Sequence, residues 1–207
     1  DGVIRIDPCD PSMVSTQIKT ACKQRNVKAV KVGMLYSKKI CLAVERALKN
    51  ISISNVVIDP VMKASSGEDL IEADALKSLF RLIRSCASVV TPNIPEAQII
   101  TGNRIMSVND MKDAAVEIGK KFRTACVVKG GHLSSRKSRN SRTTVDVLFY
   151  NGKIEEFSAR RQDHGNTRGT GCVFSSALAC YLCKGMSMSG AVRSAKRYMS
   201  RVLMLKD

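Results

Sequence analysis

The patterning of this chain predicts an α/β fold: a parallel sheet with helices on both faces. Two observations carry the prediction. Short, almost wholly apolar runs alternate with longer segments whose apolar residues recur at helical spacing. The short runs carry no polar face, as strands buried on both sides require. The 207 residues, 44% of them apolar, suffice for one domain with a sizeable core. No linker and no internal repeat divides the chain, so one domain over residues 1–207 is expected.

The elements follow in order. "DPSMVSTQIKTACKQR" opens with Asp10 as cap and Pro11 at the first helical position, and Val14, Ile18, Ala21 and Cys22 make one stripe. "KAVKVGML" (28–35) reads as a strand, and Ser37 opens a helix through Lys49. "NVVIDPV" (55–61) is a short buried strand with Asp59 at its C-terminal end, followed by a helix with Leu76, Leu79, Phe80 and Ile83 on one face. "ASVVTPN" (87–93) is the next strand, and Pro95 suits the first turn of the helix after it. Ser107 caps a helix carrying Met111, Ala114, Ala115 and Ile118. "ACVVKGGH" (125–132) is a fourth strand. "VDVLFYNGKIEEFSA" (145–159) is a hairpin about Asn151-Gly152, a favoured two-residue turn. Two helices close the chain, one after Gly171 ending near Gly185 and one over about 188–203.

Composition narrows the function. Aromatic residues make up 4% and there is no Trp, so aliphatic side chains and Met must fill the core. No window approaches the eighteen or so apolar residues of a membrane span, and the start shows no secretory pattern. The eight cysteines are scattered, most of them within apolar patterns such as those around Cys41, Cys86 and Cys126. They read as buried free thiols of a reducing cytosol. Cys180 and Cys183 lie three apart, but His132 and His164 show no ligand spacing to them, and both histidines read as structural or exposed. The formal charge of +16 is spread over most helices without interleaved aromatics, which favours a generally basic surface over a nucleic-acid site. The densest cluster, "SSRKSRNSR" (134–142), reads as a polar loop.

In parallel sheets ligands bind beyond the carboxyl ends of the strands. Met34, Asp59, Asn93, Glu96 and Lys129 fall there, although strand ends are polar in most proteins. "HGNTRGTGCVFSSAL" (164–178) is the more pointed stretch. Its glycines allow backbone N–H groups to converge just before a helix, which is an anion-binding arrangement. It is no Walker A loop, because no Lys-Ser or Lys-Thr follows the glycines. On local grounds it is either such a site or a tight turn with a packed cysteine.

"DPVM" at 59–62, "TPNIPEA" at 91–97, "VKGGH" at 128–132 and "NTRGTGC" at 166–172 occur in that order with fitting spacing. Together they resemble the hydroxymethylpyrimidine/phosphomethylpyrimidine kinases of thiamine biosynthesis, in the ribokinase-like superfamily. "VGML", "SSGEDL" and "AVRSAKRYMSRVL" extend the resemblance over essentially the whole chain, from about Gly2. It implies a ribokinase-like three-layer α/β/α fold with a mostly parallel central sheet. It also implies ATP-dependent phosphorylation of hydroxymethylpyrimidine and of its monophosphate, with Mg²⁺, in a cytoplasmic enzyme that is a homo-oligomer, most simply a dimer. By motif, Cys172 takes the place of the catalytic cysteine, and Gly169, Thr170 and Gly171 supply anion-hole amides. Asp59 and Glu96 would serve Mg²⁺. Asn93, Glu96, Lys129 and Thr167 would face the nucleotide, and Met34 and Val61 would line the pyrimidine pocket.

These roles agree with the chemistry. Phosphoryl transfer chiefly needs positioning and neutralisation of charge. Carboxylates hold Mg²⁺, while a lysine and backbone amides take the charge on phosphate oxygens. An alcohol acceptor must also lose a proton, and a cysteine at a helix N-terminus, where the thiolate is favoured, can take it. The monophosphate is largely ionised at pH 7, with a second pKa of about 6, and should need Cys172 less. The chain departs from the family at Arg168, where a His is usual, and at Ser65, often a Lys. The family's N-terminal strand, Gly-rich turn and lid strands are not matched before "DGVIRI", so the N-terminal strands of the sheet and one wall of the pocket are expected to be missing. A vitamin B6 kinase of the same superfamily, or a truncated non-catalytic remnant with a basic binding surface, are the rival readings.

Overall fold

A computed structural model of the protein describes residues 2–131, 143–160 and 169–204. They form one six-stranded sheet in the order β1-β2-β3-β4-β5-β6. Strands β1 (Ala29–Val32), β2 (Asn55–Ile58), β3 (Val89–Val90) and β4 (Ala125–Val128) pair in parallel. Strands β5 (Thr143–Tyr150) and β6 (Lys153–Arg160) add an antiparallel hairpin on β4. Its turn residues Asn151 and Gly152 have φ of 49° and 75°, the left-handed pair that a tight hairpin needs.

Among the described residues seven α-helices surround the sheet: α1 (Pro11–Gln24), α2 (Lys38–Lys49), α3 (Leu76–Cys86), α4 (Ile94–Thr101), α5 (Val108–Phe122), α6 (Thr170–Cys183) and α7 (Met188–Met204). Side chains of alternate strand residues enter opposite cores. Val56, Ile58, Val90, Cys126, Val128 and Val147 join α2, α3 and α5 in one apolar cluster. Val57, Val89, Ala125, Val127 and Leu148 join α6 and α7 in the other. The topology explains this division. Strands added in one direction with right-handed crossovers place every connecting helix on the same face. The opposite face is left for helices that follow the hairpin. The result is the expected three-layer α/β/α arrangement around a mostly parallel sheet.

The strands are shorter than the apolar runs. The run 87–93 yields only Val89–Val90 as strand, and 55–61 ends at Ile58. Beyond those points the backbone turns to present polar groups, although Asn93 and Lys129 still meet as an isolated parallel bridge. Helix starts match their signals. Asp10 accepts from the amides of Ser12 and Met13, Ser37 from Ile40, and Ser107 and Asp110 form a capping box.

The cysteine reading needs correction. Cys41 and Cys126 are buried, but Cys9, Cys172, Cys180 and Cys183 are exposed, and all eight are free thiols. Cys180 and Cys183 sit on α6, whose other face carries the buried Ala177, Leu178 and Leu182. The stripe on α1 is likewise shallow: Val14 and Ile18 touch the core, and no residue of the helix is fully buried. No described helix is long and apolar enough to cross a membrane. The basic cluster at 134–142 and both histidines lie outside the described residues.

Candidate active site

A cavity of about 470 Å³ opens at the carboxyl ends of β2, β3 and β4, and α6 begins at its edge. Its lining brings together most of the residues singled out from sequence: Asp59, Val61, Asn93, Glu96, Lys129, Gly169, Thr170, Gly171 and Cys172. Met34 is not among them. It lies two residues past the end of β1, the edge strand, and is 43% exposed. Thr167 and Arg168 lie outside the described residues.

Asp59 is the centre of the polar network and is only 2% exposed. Its Oδ1 accepts from Lys129 Nζ at 2.7 Å and from Thr91 Oγ1 at 3.2 Å, and its Oδ2 accepts from Ser175 Oγ at 3.1 Å. Both carboxylate oxygens are thus engaged, by a charge partner and two hydroxyls. Burial opposes the charge on Lys129, but the carboxylates of Asp59 and Glu96 outweigh it and hold the ammonium above the usual lysine range. The backbone brings this pair together: the Lys129 amide donates to Pro92 O, which locks the end of β4 beside the end of β3.

Glu96 serves two structures at once. It is the N3 residue of α4, where its Oε2 accepts from the Asn93 amide at 2.8 Å while the Glu96 amide donates to Asn93 Oδ1 at 2.8 Å. It is also 4% exposed at the cavity wall. Burial pushes its carboxyl up to about 7, against the opposing pull of Lys129 and of the Asn93 amide. Near neutral pH it is therefore divided between acid and carboxylate, and a cation arriving in the cavity would favour the carboxylate.

The start of α6 differs from α1, α2, α4 and α5, each of which has a side-chain cap. Gly169 takes the cap position with φ of 77°, a conformation suited to glycine, and offers no side chain to cap the helix. The first-turn backbone and the positive end of the helix dipole therefore face the cavity. Cys172 stands in that first turn, exposed. Gly171 leaves room for Lys129, whose Nζ would come within 3.1 Å of any Cβ at that position.

The cavity also recruits residues that motif reading passed over: Lys63, Thr144, Asp146, Arg160, Phe174, Lys196, Met199 and Ser200, with Ser65 beside them. Two of these left a signal. Asp146 interrupts the apolar run of β5, and Lys196 falls within the apolar stripe Ala191, Val192, Ala195 of α7. Among the described residues, no group of three or more His, Cys, Asp or Glu side chains is gathered as a metal centre.

Comparison with known proteins adds to this geometry. The family model for phosphomethylpyrimidine kinase matches residues 1–206. A thiamine biosynthesis bifunctional protein of Geobacter sulfurreducens is 36% identical over 204 residues, 99% of this chain and 40% of that protein. The hydroxymethylpyrimidine/phosphomethylpyrimidine kinase of Aquifex aeolicus is 30% identical over 201 residues, 97% of this chain and 76% of the relative. Among solved structures, the phosphomethylpyrimidine kinase of Clostridium difficile 630 superposes with a TM-score of 0.81 at 31% identity, covering 98% of this chain and 80% of that one. An ADP complex of Bacillus subtilis pyridoxal kinase reaches the same TM-score, 0.81, at 30% identity, covering 93% and 70%.

Proposed function

The chain belongs to the phosphomethylpyrimidine kinase family, and from that premise we propose that it transfers the γ-phosphoryl group of ATP to 4-amino-5-hydroxymethyl-2-methylpyrimidine and to its monophosphate. The observation that carries this reading is the meeting, in one cavity, of a buried Asp59–Lys129 pair, Glu96 and the glycine-capped first turn of α6 with Cys172.

In this reading Lys129 and the amides of Gly169, Thr170 and Gly171 take the charge on the transferring phosphoryl oxygens. Asp59 holds Lys129 charged and in place. Asn93, and Thr167 beyond the described residues, face the nucleotide. Cys172 accepts the proton of the alcohol acceptor. For the monophosphate, already largely ionised, Cys172 mainly shapes the site. Val61 contributes to the pyrimidine wall.

Glu96 and Asp59 fit a magnesium ion that accompanies the nucleotide. Two carboxylates are too few for a cage built from protein alone, but Mg²⁺ at such sites takes one or two carboxylates and completes its shell with phosphate oxygens and water. A divalent cation there would neutralise charge on the phosphates. Glu96, half ionised near pH 7, is the more open of the two ligands, since Asp59 is already committed to Lys129. The reading extends to one kinase domain over 1–207, acting in the cytoplasm as a homodimer.

A second reading, phosphorylation of pyridoxal, is favoured by the likeness to the Bacillus subtilis pyridoxal kinase. The two differ in the acceptor and share the phosphate-binding parts. ADP formation with each alcohol in turn separates them: hydroxymethylpyrimidine should stimulate it more than pyridoxal does. Equal or reversed stimulation would refute the pyrimidine assignment.

A further inference from the structure

Asp146 on β5 and Lys196 on α7 form a second buried ion pair in the cavity wall, to which the phosphoryl transfer described above gives no role. Lys196 Nζ lies 2.7 Å from Asp146 Oδ2, and the side chains are 4% and 5% exposed. The contact is an ion pair rather than an aligned hydrogen bond, since Nζ has no hydrogen-bond acceptor among the described residues. The other carboxylate oxygen, Oδ1, accepts from the Gly130 amide at 3.0 Å. Gly130 follows Lys129 directly and is pressed against β5: a Cβ there would lie 1.9 Å from Val145 O.

We infer that Lys196 is a positioning residue for the turn Lys129–Gly131, acting through Asp146. The carboxylate of Asp146 grips the Gly130 amide and so fixes the backbone that carries Lys129. A carboxylate buried in that wall is costly without a cation beside it to hold it in place, and Lys196 is that cation. Asp146 also bears electrostatically on Lys129. Without Lys196, its unbalanced charge would compete with a phosphate for the Lys129 ammonium. The last described helix is thereby tied to the phosphate-binding turn on the neighbouring strands. The inference rests on the kinase reading of the cavity for its consequence, though not for the Gly130 grip itself.

The test compares Lys196→Met, Lys196→Arg and the double variant Lys196→Met/Asp146→Asn with the wild-type chain. The readouts are KM and kcat for ATP and amide hydrogen exchange at Gly130. Lys196→Met should raise the KM for ATP by on the order of 10²-fold, the cost of a misplaced binding group. It should also speed exchange at Gly130 by about tenfold or more, as local opening becomes easier. Lys196→Arg should restore most of both. The double variant should do so too, because it leaves no unpaired charge and the amide oxygen introduced at 146 can still accept from Gly130. Wild-type KM and exchange in Lys196→Met would overturn the proposal. So would a double variant as impaired in KM as the single one, which would assign the charge of Lys196 to ATP itself. If Lys196→Met does not fold, the double variant decides by comparison with wild type: near-wild-type KM and Gly130 exchange support the proposal, and a KM raised on the order of 10²-fold overturns it. A wild-type chain that turns over no ATP would refute the kinase reading, while Gly130 exchange would still decide this one.

Discussion

Replacing Glu96 by Gln should make the protein more stable above neutral pH while damaging its proposed chemistry. Burial raises this carboxyl from 4.5 to about 7. In the folded state Glu96 therefore holds its proton up to about pH 7, whereas in the unfolded chain it loses it near 4.5. Between those values the folded protein binds more protons than the unfolded one, so stability falls as pH rises. The contribution is complete below the unfolded value and is lost as pH passes through the folded one. At roughly 1.4 kcal/mol for each pH unit, the loss amounts to about 3 kcal/mol by pH 8. Glutamine does not titrate, and its amide oxygen can still accept from the Asn93 amide in the capping box. The assay is urea unfolding of wild type and Glu96→Gln at intervals from pH 4.5 to 8.5. The difference in unfolding free energy should change by about 3 kcal/mol in favour of the variant across that range. Groups not coupled to Glu96 titrate alike in both proteins and cancel, and Lys129, held above the usual lysine range, stays charged across this window. A difference that stays flat would refute the claim that Glu96 is buried against its own charge. Turnover with Mg²⁺ and ATP should fall in the same variant, because a neutral amide supports the cation poorly.

Three further changes test neighbouring parts of the site. Cys172→Ala should slow phosphorylation of the alcohol by about 10²–10⁴-fold, the usual worth of a positioned base, and of the monophosphate much less. Equal losses measured on the same preparation would show that Cys172 moves no proton. Lys129→Met should cost about 3–5 kcal/mol of stability in urea titrations, because it leaves Asp59 buried without its cation. It should also carry the Glu96 titration above about 7, since Lys129 is what pulls it down; an unmoved midpoint would separate the two groups. Gly130→Ala should destabilise by about 1–3 kcal/mol through overpacking against Val145 O. Gly131→Ala, where a Cβ meets nothing within 4 Å among the described residues, should not incur that overpacking cost, and equal urea midpoints for the two would refute the close approach.

Local chemistry made the elements legible. A strand buried on both faces must be apolar throughout, so β2 and β4 stood out as runs, and caps such as Asp10, Ser37 and Ser107 follow from a helix's need to satisfy its first amides. The motifs also identified about half of the cavity wall, because residues at the ends of parallel strands converge by topology. Exposure was less legible. Cys180 and Cys183 lie in an apolar sequence yet face outward, since α6 has only one covered face. Met34 is likewise exposed, just past the end of β1 at the edge of the sheet.

What the sequence determined by itself is the order of strands and helices and the residue types at the strand ends, because periodicity and turn chemistry act over a few neighbouring residues. The pairings were decided only by the tertiary structure. Asp59 meets Lys129 across 70 positions and Ser175 across 116, and Asp146 meets both the Gly130 amide and Lys196. Such charges are tolerable in a buried wall only when an opposite charge or a donor arrives from another element. Which element arrives is set by the stacking of β2, β3, β4 and β5 beneath α6 and α7, and no local pattern encodes it.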